Sequence, residues 1–365
     1  MDINKLINSE FKNLAPYQPG KPIEELAREK NLTGIIKLAS NENPLGASPQ
    51  AIKAIKQKLN DIFYYPDPNN YELKQALNAK YSISPENIII GNGSDEIQQL
   101  LARAFLNSED EVIIPKYSFA NYKIISNAQK ARIIETKLGN NFYIDIENIL
   151  KNINKRTKII FIANPGNPIS TYIDSKKIIN LLDNIDSNTL VLLDEAYYEY
   201  RLEYDNFDTS KLIDKYPNLI ITRTFSKAYG LAGLRIGYGF AHPEIIELLH
   251  KIKLPFNVNR LASVAAISAL NDIVHIDHTV RVNKEGKEFL KSKLREKDIS
   301  FIDSFTNFLT INIHEADKVY EYLLNMGIIT RTLANYCLHD YLRLSIGTKY
   351  QNDLFSQKLF NYFLI

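Results

Sequence analysis

Between residues 87 and 255, short apolar runs rich in β-branched residues alternate with longer stretches in which apolar residues recur every three or four positions. The runs are NIIIG (87–91), EVIIP (111–115), ARIIET (131–136), TKIIFIA (157–163), TLVLLD (189–194), LIITRT (219–224) and LRIGYGFA (234–241). Most lack alternating polar residues, the pattern of strands covered on both faces. The intervening stretches predict helices over 49–60, 71–80, 95–106, 174–184 and 243–252. Strand–helix alternation of this kind predicts an α/β layer built on a mainly parallel sheet. Beyond about residue 256 the pattern changes. Helical stretches at 259–271, 279–297 and 315–326 accompany two strand-like runs, NFLTINI (307–313) and YLRLSI (341–346), which predict a smaller α+β unit. The first forty-odd residues are irregular and punctuated by proline. The expected division is an arm over 1–45 that joins the substrate cover and the small domain, a large domain over 46–256 and a small domain over 257–365.

A chain of 365 residues, 45% hydrophobic and 24% charged, has ordinary globular composition and enough length for two domains. Its 44 basic and 42 acidic residues leave a net charge of +2, which predicts no nucleic-acid partner and no attraction to anionic membranes. Apolar runs such as VAAISAL are far too short to span a bilayer, and the first residues lack the apolar core of a secretion signal. Cys337 is the single cysteine, so no internal disulfide is possible. A soluble protein of a reducing, cytoplasmic compartment is expected.

Candidate chemistry gathers where strands end, the place at which α/β sheets collect ligands. GNGSDEI (91–97) follows a strand and opens a helix, so the amides near Ser94 and Asp95 suit an anion. Read alone, the segment is equally an ordinary helix cap. ANPGNPIS (163–170) carries two Asn-Pro pairs that force a rigid turn, either structural or aiming an asparagine at a ligand. In LLDEAYYEY (192–200), Asp194 ends an apolar strand and Tyr197 follows three residues later. A carboxylate there needs a cation or hydrogen-bond donors. TFSKAYGLAGLRIGY (224–238) sets Thr224, Ser226, Lys227 and Arg235 into otherwise apolar surroundings. Unpaired buried charge is costly, so something anionic is expected beside them. Lys227 on its own suits a phosphate clamp, an ion pair or a covalent amine.

The ordered set, with Tyr117 of PKYSF added, resembles the fold-type-I pyridoxal-phosphate aminotransferases over nearly the whole chain. That resemblance implies a large domain with a mainly parallel mixed sheet flanked by helices and a smaller α+β domain. It implies pyridoxal 5'-phosphate as cofactor, held covalently by Lys227, which then shuttles the proton. Asp194 would pair with the ring nitrogen, which makes the ring an electron sink. Tyr197 and Asn167 would bond the ring oxygen, and Tyr117 would stack on the ring face. Thr224, Ser226, Arg235 and the amides of Ser94 and Asp95 would hold the phosphate. Where the family usually reads Asn-Pro-Thr-Gly, this chain has NPIS, with Ile169 and Ser170 in place of threonine and glycine.

PYQPGKP (16–22), NENPLG (41–46) and YYPDP (64–68) are similar to one subgroup, the histidinol-phosphate aminotransferases. This implies glutamate/2-oxoglutarate and imidazole-acetol phosphate/histidinol phosphate as substrates. It also implies a homodimer in which Tyr65 reaches the partner's cofactor phosphate, and Tyr17 in the segment covering the substrate. Arg343 would bind the substrate anion with Arg331 as helper, since a guanidinium accepts phosphate or carboxylate. The same scaffold also serves aromatic amino acid aminotransferases and threonine-phosphate decarboxylases, which remain alternatives at this point. His275 and His278 have no further ligand at a suitable spacing and predict a solvated helix face, not a metal site.

Overall fold

The computed structural model describes residues 2, 6–7, 11 and 19–364, and the expected contact of Tyr17 falls outside them. In chain order, strand β1 (Ile36–Lys37) precedes β2 (Ile88–Gly91), β3 (Glu111–Pro115), β4 (Arg132–Thr136), β5 (Thr157–Ala163), β6 (Leu190–Asp194), β7 (Leu219–Thr224) and β8 (Gly237–Phe240). The last seven form one sheet in the order β2-β8-β7-β6-β5-β3-β4. Strand β8 runs antiparallel to β2 and β7, and the other neighbours pair in parallel. This is an α/β layer with a mainly parallel mixed sheet, as the apolar runs predict.

The sheet's two faces explain the missing alternation. Ile113, Ile160, Val191 and Ile221 enter one apolar cluster, whereas their chain neighbours Val112, Ile159, Leu192 and Ile220 enter the cluster on the opposite face. Each strand therefore buries consecutive residues. The edge strand β4 is the exception, with Arg132 and Glu135 exposed.

Local chemistry starts several helices. Ser48 accepts from the amides of Gln50 and Ala51 at the head of Pro49–Lys58, whose first residue is the proline favoured there. Asp174 and Asn259 cap Ser175–Asp183 and Arg260–Asn271 in the same way. The alanines 262, 265, 266 and 269 let Arg260–Asn271 pack closely, and they join the same apolar cluster as Ala51, Leu73 and Leu77. The segment expected to open the small domain thus packs with the large sheet's helices.

A second core lies farther along the chain. Strands β9 (Phe301–Ile302), β10 (Phe308–Asn312), β11 (Ile328–Ile329), β12 (Arg331–Leu333) and β13 (Leu338–Ser345) follow the long helix Ile273–Arg295. An antiparallel sheet runs β12-β13-β10-β9, and β11 pairs in parallel with β1. Leu290, Leu294, Leu309, Val319, Leu342 and Phe355 share this core with Ile36 and Leu38. The early residues 36–38 are thereby built into the later core, so the irregular segment around 39–43 crosses between the two bodies. No helix among the described residues is long and apolar enough to cross a membrane.

Candidate active site

A cavity of about 510 Å³ opens at the carboxyl ends of β5, β6 and β7, where the large sheet faces β12 and β13. Its wall brings together Ser94, Asp95, Asn167, Asp194, Tyr197, Thr224, Ser226, Lys227, Arg235, Arg331 and Arg343, residues spread over some 250 positions of the sequence.

Asp194 ends β6 with only 6% of its surface exposed. Its Oδ2 accepts from the Tyr122 hydroxyl at 2.7 Å and from Gln98 Nε2 at 2.9 Å. Thr222 donates to Oδ1 at 3.3 Å. Burial pushes this carboxyl up to about 6, helped by nearby Asp95 and opposed by its hydrogen bonds to Tyr122, Gln98 and Thr222. The next residue, Glu195, turns to the opposite side of the sheet. There it pairs with the fully buried guanidiniums of Arg201 and Arg223 and accepts from Thr209 at 2.6 Å. Consecutive carboxylates thus serve the cavity and the interior separately, because strand side chains alternate faces.

Lys227 lies just beyond β7 and donates to the Ser40 carbonyl at 3.0 Å. Burial first, and then the Arg343 charge, lower its ammonium to about 8, while Glu42 and Asp95 pull the other way. The amine is therefore held near the point where it is neutral at ordinary pH, the state needed for nucleophilic attack or proton uptake. Tyr197, buried beside it, accepts from Asn41 Nδ2 at 2.8 Å.

On the same wall as Lys227, the helix Ser94–Phe105 brings its first turn to the cavity. Gly93 precedes it with φ of 78°, and a Cβ there would sit 2.7 Å from an Arg235 guanidinium nitrogen. Thr224 Oγ1 donates to Ser226 Oγ at 3.0 Å, and Arg235 Nη1 donates to the same oxygen at 3.4 Å. Helix-start amides, two hydroxyls and a guanidinium around a position that only glycine fits make a cup for a phosphate dianion.

On the far wall, Arg343 of β13 stands directly opposite Arg331 of β12 in the strand register. Two guanidiniums so placed suit an anion bound between them. Arg343 Nη1 donates to Asn167 Oδ1 at 2.6 Å. Peptide bonds 164–165 and 167–168 of the Asn-Pro turn are both cis.

Two residues named from the sequence lie outside this cavity, Tyr65 as expected of one that reaches a partner's site. Tyr117, with φ of 59°, packs its ring 6.0 Å from Phe142 beside Ile169, Ile302 and Leu338, away from the cavity. Phe119, two residues on, lines the cavity in its place. Tyr65 is 77% exposed and stacks on Phe256 at 4.5 Å, outside the cavity of its own chain. Ser40, Gln98 and Tyr122 contribute without having been singled out by motif, whereas Asn41 heads the NENPLG motif. Of those three, Gln98 alone carried a signal, as a polar residue on the buried stripe of its helix.

The described residues hold an amine, an unneutralised buried carboxylate and a phosphate cup on one wall. This donor set fits pyridoxal phosphate, whose aldehyde, ring nitrogen and phosphate need those three groups. The family model described as Aminotransferase class I and II matches residues 33–359. The chain is 41% identical over its full length to histidinol-phosphate aminotransferase 2 of Legionella pneumophila (strain Lens), covering all of that protein. It is 43% identical to histidinol-phosphate aminotransferase 1 of Nitrosococcus oceani, over 95% of this chain and 94% of that one. In structure it is similar to histidinol-phosphate aminotransferase from Sinorhizobium meliloti, solved with pyridoxal-5'-phosphate. The TM-score is 0.88 at 26% identity, covering 97% of this chain and 96% of that one.

Proposed function

The chain belongs to the class I and II aminotransferase family, and from that premise we propose that it is a histidinol-phosphate aminotransferase. It moves an amino group reversibly between glutamate/2-oxoglutarate and imidazole-acetol phosphate/histidinol phosphate, a step of histidine biosynthesis. One observation carries the reading. A single cavity joins the cofactor-binding set around Lys227 and Asp194 to two opposed arginines that suit an anionic substrate.

When bound, pyridoxal phosphate supplies the carbonyl that receives the amino group and a ring that draws off electrons from the broken Cα–H bond. The chain's own residues do the rest. Asp194, ionised, holds a positive charge at the ring nitrogen. Tyr197 and Asn167 serve as hydrogen-bond partners of the ring oxygen, and Phe119 takes the stacking position. The amides of Ser94 and Asp95, with Thr224, Ser226 and Arg235, would fix the phosphate. Lys227 would attach the cofactor, and its freed amine would carry the proton between the substrate Cα and the cofactor's C4′ on the one face it occupies. Arg343, seconded by Arg331, receives the phosphate of one substrate and a carboxylate of the other. The same guanidinium serves both half-reactions in turn, because either anion offers it two oxygens.

The test is a single-turnover absorbance trace on cofactor-loaded protein. Histidinol phosphate without keto acid is expected to bleach the bound cofactor's visible band much faster than phenylalanine or threonine phosphate. Faster bleaching by phenylalanine would transfer Arg343 to an α-carboxylate and overturn the substrate assignment.

The active unit is proposed to be a cytoplasmic homodimer. Ile62, Phe63, Tyr64 and Tyr65 are 60–77% exposed, an unusual density of large apolar and aromatic surface. A second copy covering it would carry Tyr65 to the neighbouring site's phosphate. Tyr65→Phe is then expected to weaken cofactor affinity about tenfold, the scale of one hydrogen bond to a charged group, with the dimer intact by sedimentation. Unchanged affinity would remove Tyr65 from the site.

A further inference from the structure

The NPIS segment departs from the family's usual Asn-Pro-Thr-Gly, and it is tied residue by residue to the small sheet. Asn167 accepts from Arg343 of β13 at 2.6 Å. The Pro168 carbonyl accepts from Thr310 Oγ1 of β10 at 2.7 Å. Ile169 enters an apolar cluster with Ile302 of β9, Leu333 of β12 and Leu338 of β13. Ser170 donates to the Asp303 carbonyl at 2.9 Å, and its own carbonyl accepts from the Phe305 amide at 3.0 Å. Ile169, Ser170 and Thr310 are all nearly or wholly buried. The two residues that depart from the pattern supply the apolar plug and the serine bond, neither of which a threonine-glycine pair would make in the same form.

The register gives this tether a direction. Thr310 stands directly opposite Arg343 between β10 and β13. One strand pair therefore presents both the arginine that binds Asn167 and the hydroxyl that binds the next residue's carbonyl. Two hydrogen bonds one residue apart fix the small sheet's position along the turn and its rotation about it, which a single flexible guanidinium contact cannot do. Resting on the assignment of Arg343 as the anion-binding group, we propose that Thr310, with Ser170 behind it, is a positioning residue. It sets where Arg343 stands over the cavity, and so the affinity for the substrate anion.

The probe is glutarate, an amine-free dicarboxylate that can occupy the anion site without reacting, titrated calorimetrically into the cofactor-loaded protein. Thr310→Val keeps the side chain's shape and removes its donor. It is expected to weaken glutarate binding about five- to tenfold, the fold-change of one hydrogen bond. KM for glutamate and for histidinol phosphate should rise by a similar factor, with kcat within about twofold and cofactor affinity unchanged. Thr310→Ser retains the hydroxyl and should restore the native values. In an Arg343→Lys background, Thr310→Val should cost nothing further, since its effect passes through the guanidinium. Unchanged glutarate affinity in folded Thr310→Val overturns the proposal. So does an equal loss in the Arg343→Lys background, which would mark a general structural weakening. If Thr310→Val does not fold, Ser170→Ala takes the same measurements with the same expected direction. Should histidinol phosphate prove not to be a substrate while glutarate binding still follows the tether, the substrate reading fails and the positioning role stands.

Discussion

Lys227→Ala is expected to abolish amino transfer, by a factor on the order of 10⁴ or more, and to leave the fold intact. The factor follows from removing both the covalent attachment point and the general acid–base group, the latter alone contributing about 10²–10⁴-fold. The fold should survive because the amine makes one bond within the chain, to the Ser40 carbonyl, and burial already disfavours its charge. Borohydride treatment should no longer fix cofactor to the protein, while circular dichroism stays native. In the native protein, capture of pyridoxal phosphate should speed up about tenfold per pH unit and level off near pH 8, where the amine becomes neutral. Turnover in the variant within tenfold of native would remove Lys227 from the centre of the reaction.

Asp194→Asn should show opposite effects with and without cofactor. In the native protein without cofactor, the carboxyl is raised to about 6 from an ordinary 3.8. The folded state therefore binds this proton more tightly than the unfolded one. Its stabilising contribution is complete below pH 3.8 and is lost as pH climbs through about 6. The loss at pH 8 is on the order of 3 kcal/mol at 1.36 kcal/mol per pKa unit. Asparagine does not titrate, so cofactor-free Asp194→Asn should melt several degrees above native at pH 8, with the gap closing near pH 4. Adding pyridoxal phosphate reverses the ranking. The native carboxylate gains the cationic ring nitrogen that it lacks, whereas the amide gains little. Turnover should fall about 10²–10³-fold, the usual cost of removing one preorganised charge-stabilising group. Equal melting temperatures across this pH range would show that the site does not strain Asp194.

Much of this could be anticipated from the residues, for physical reasons that differ from place to place. EVIIP, TKIIFIA and LIITRT match β3, β5 and β7 residue for residue, because strands buried on both faces are written as unbroken apolar runs. Asp194, Lys227 and Arg235 are legible because charge set into apolar surroundings needs a partner. Strands β1, β9, β11 and β12 span two or three residues, too few for any periodicity to register. Helix Lys349–Tyr362 escapes hydrophobic periodicity because Asn352 and Ser356 share its buried face with Phe355 and Leu359. The Thr348–Gln351 capping box is the signal that marks it. That Phe119 and not Tyr117 lines the cavity is something residue type alone does not disclose. Ser40 and Asn41 reach the site through the irregular crossing segment, where no spacing rule applies.

The back-to-back carboxylates at the end of β6, Asp194 as its last residue and Glu195 just beyond, bear on how such a chain can change over generations. Asp194 faces the cavity and Glu195 neutralises two buried guanidiniums on the other side. A single-residue insertion or deletion within this strand would exchange their faces. Folding and chemistry would then fail together, with no intermediate in which one persists. Lineages descending from this protein can therefore vary in loop length on either side of β6, but the strand itself can accept only point substitutions, and a length change there has no viable first step.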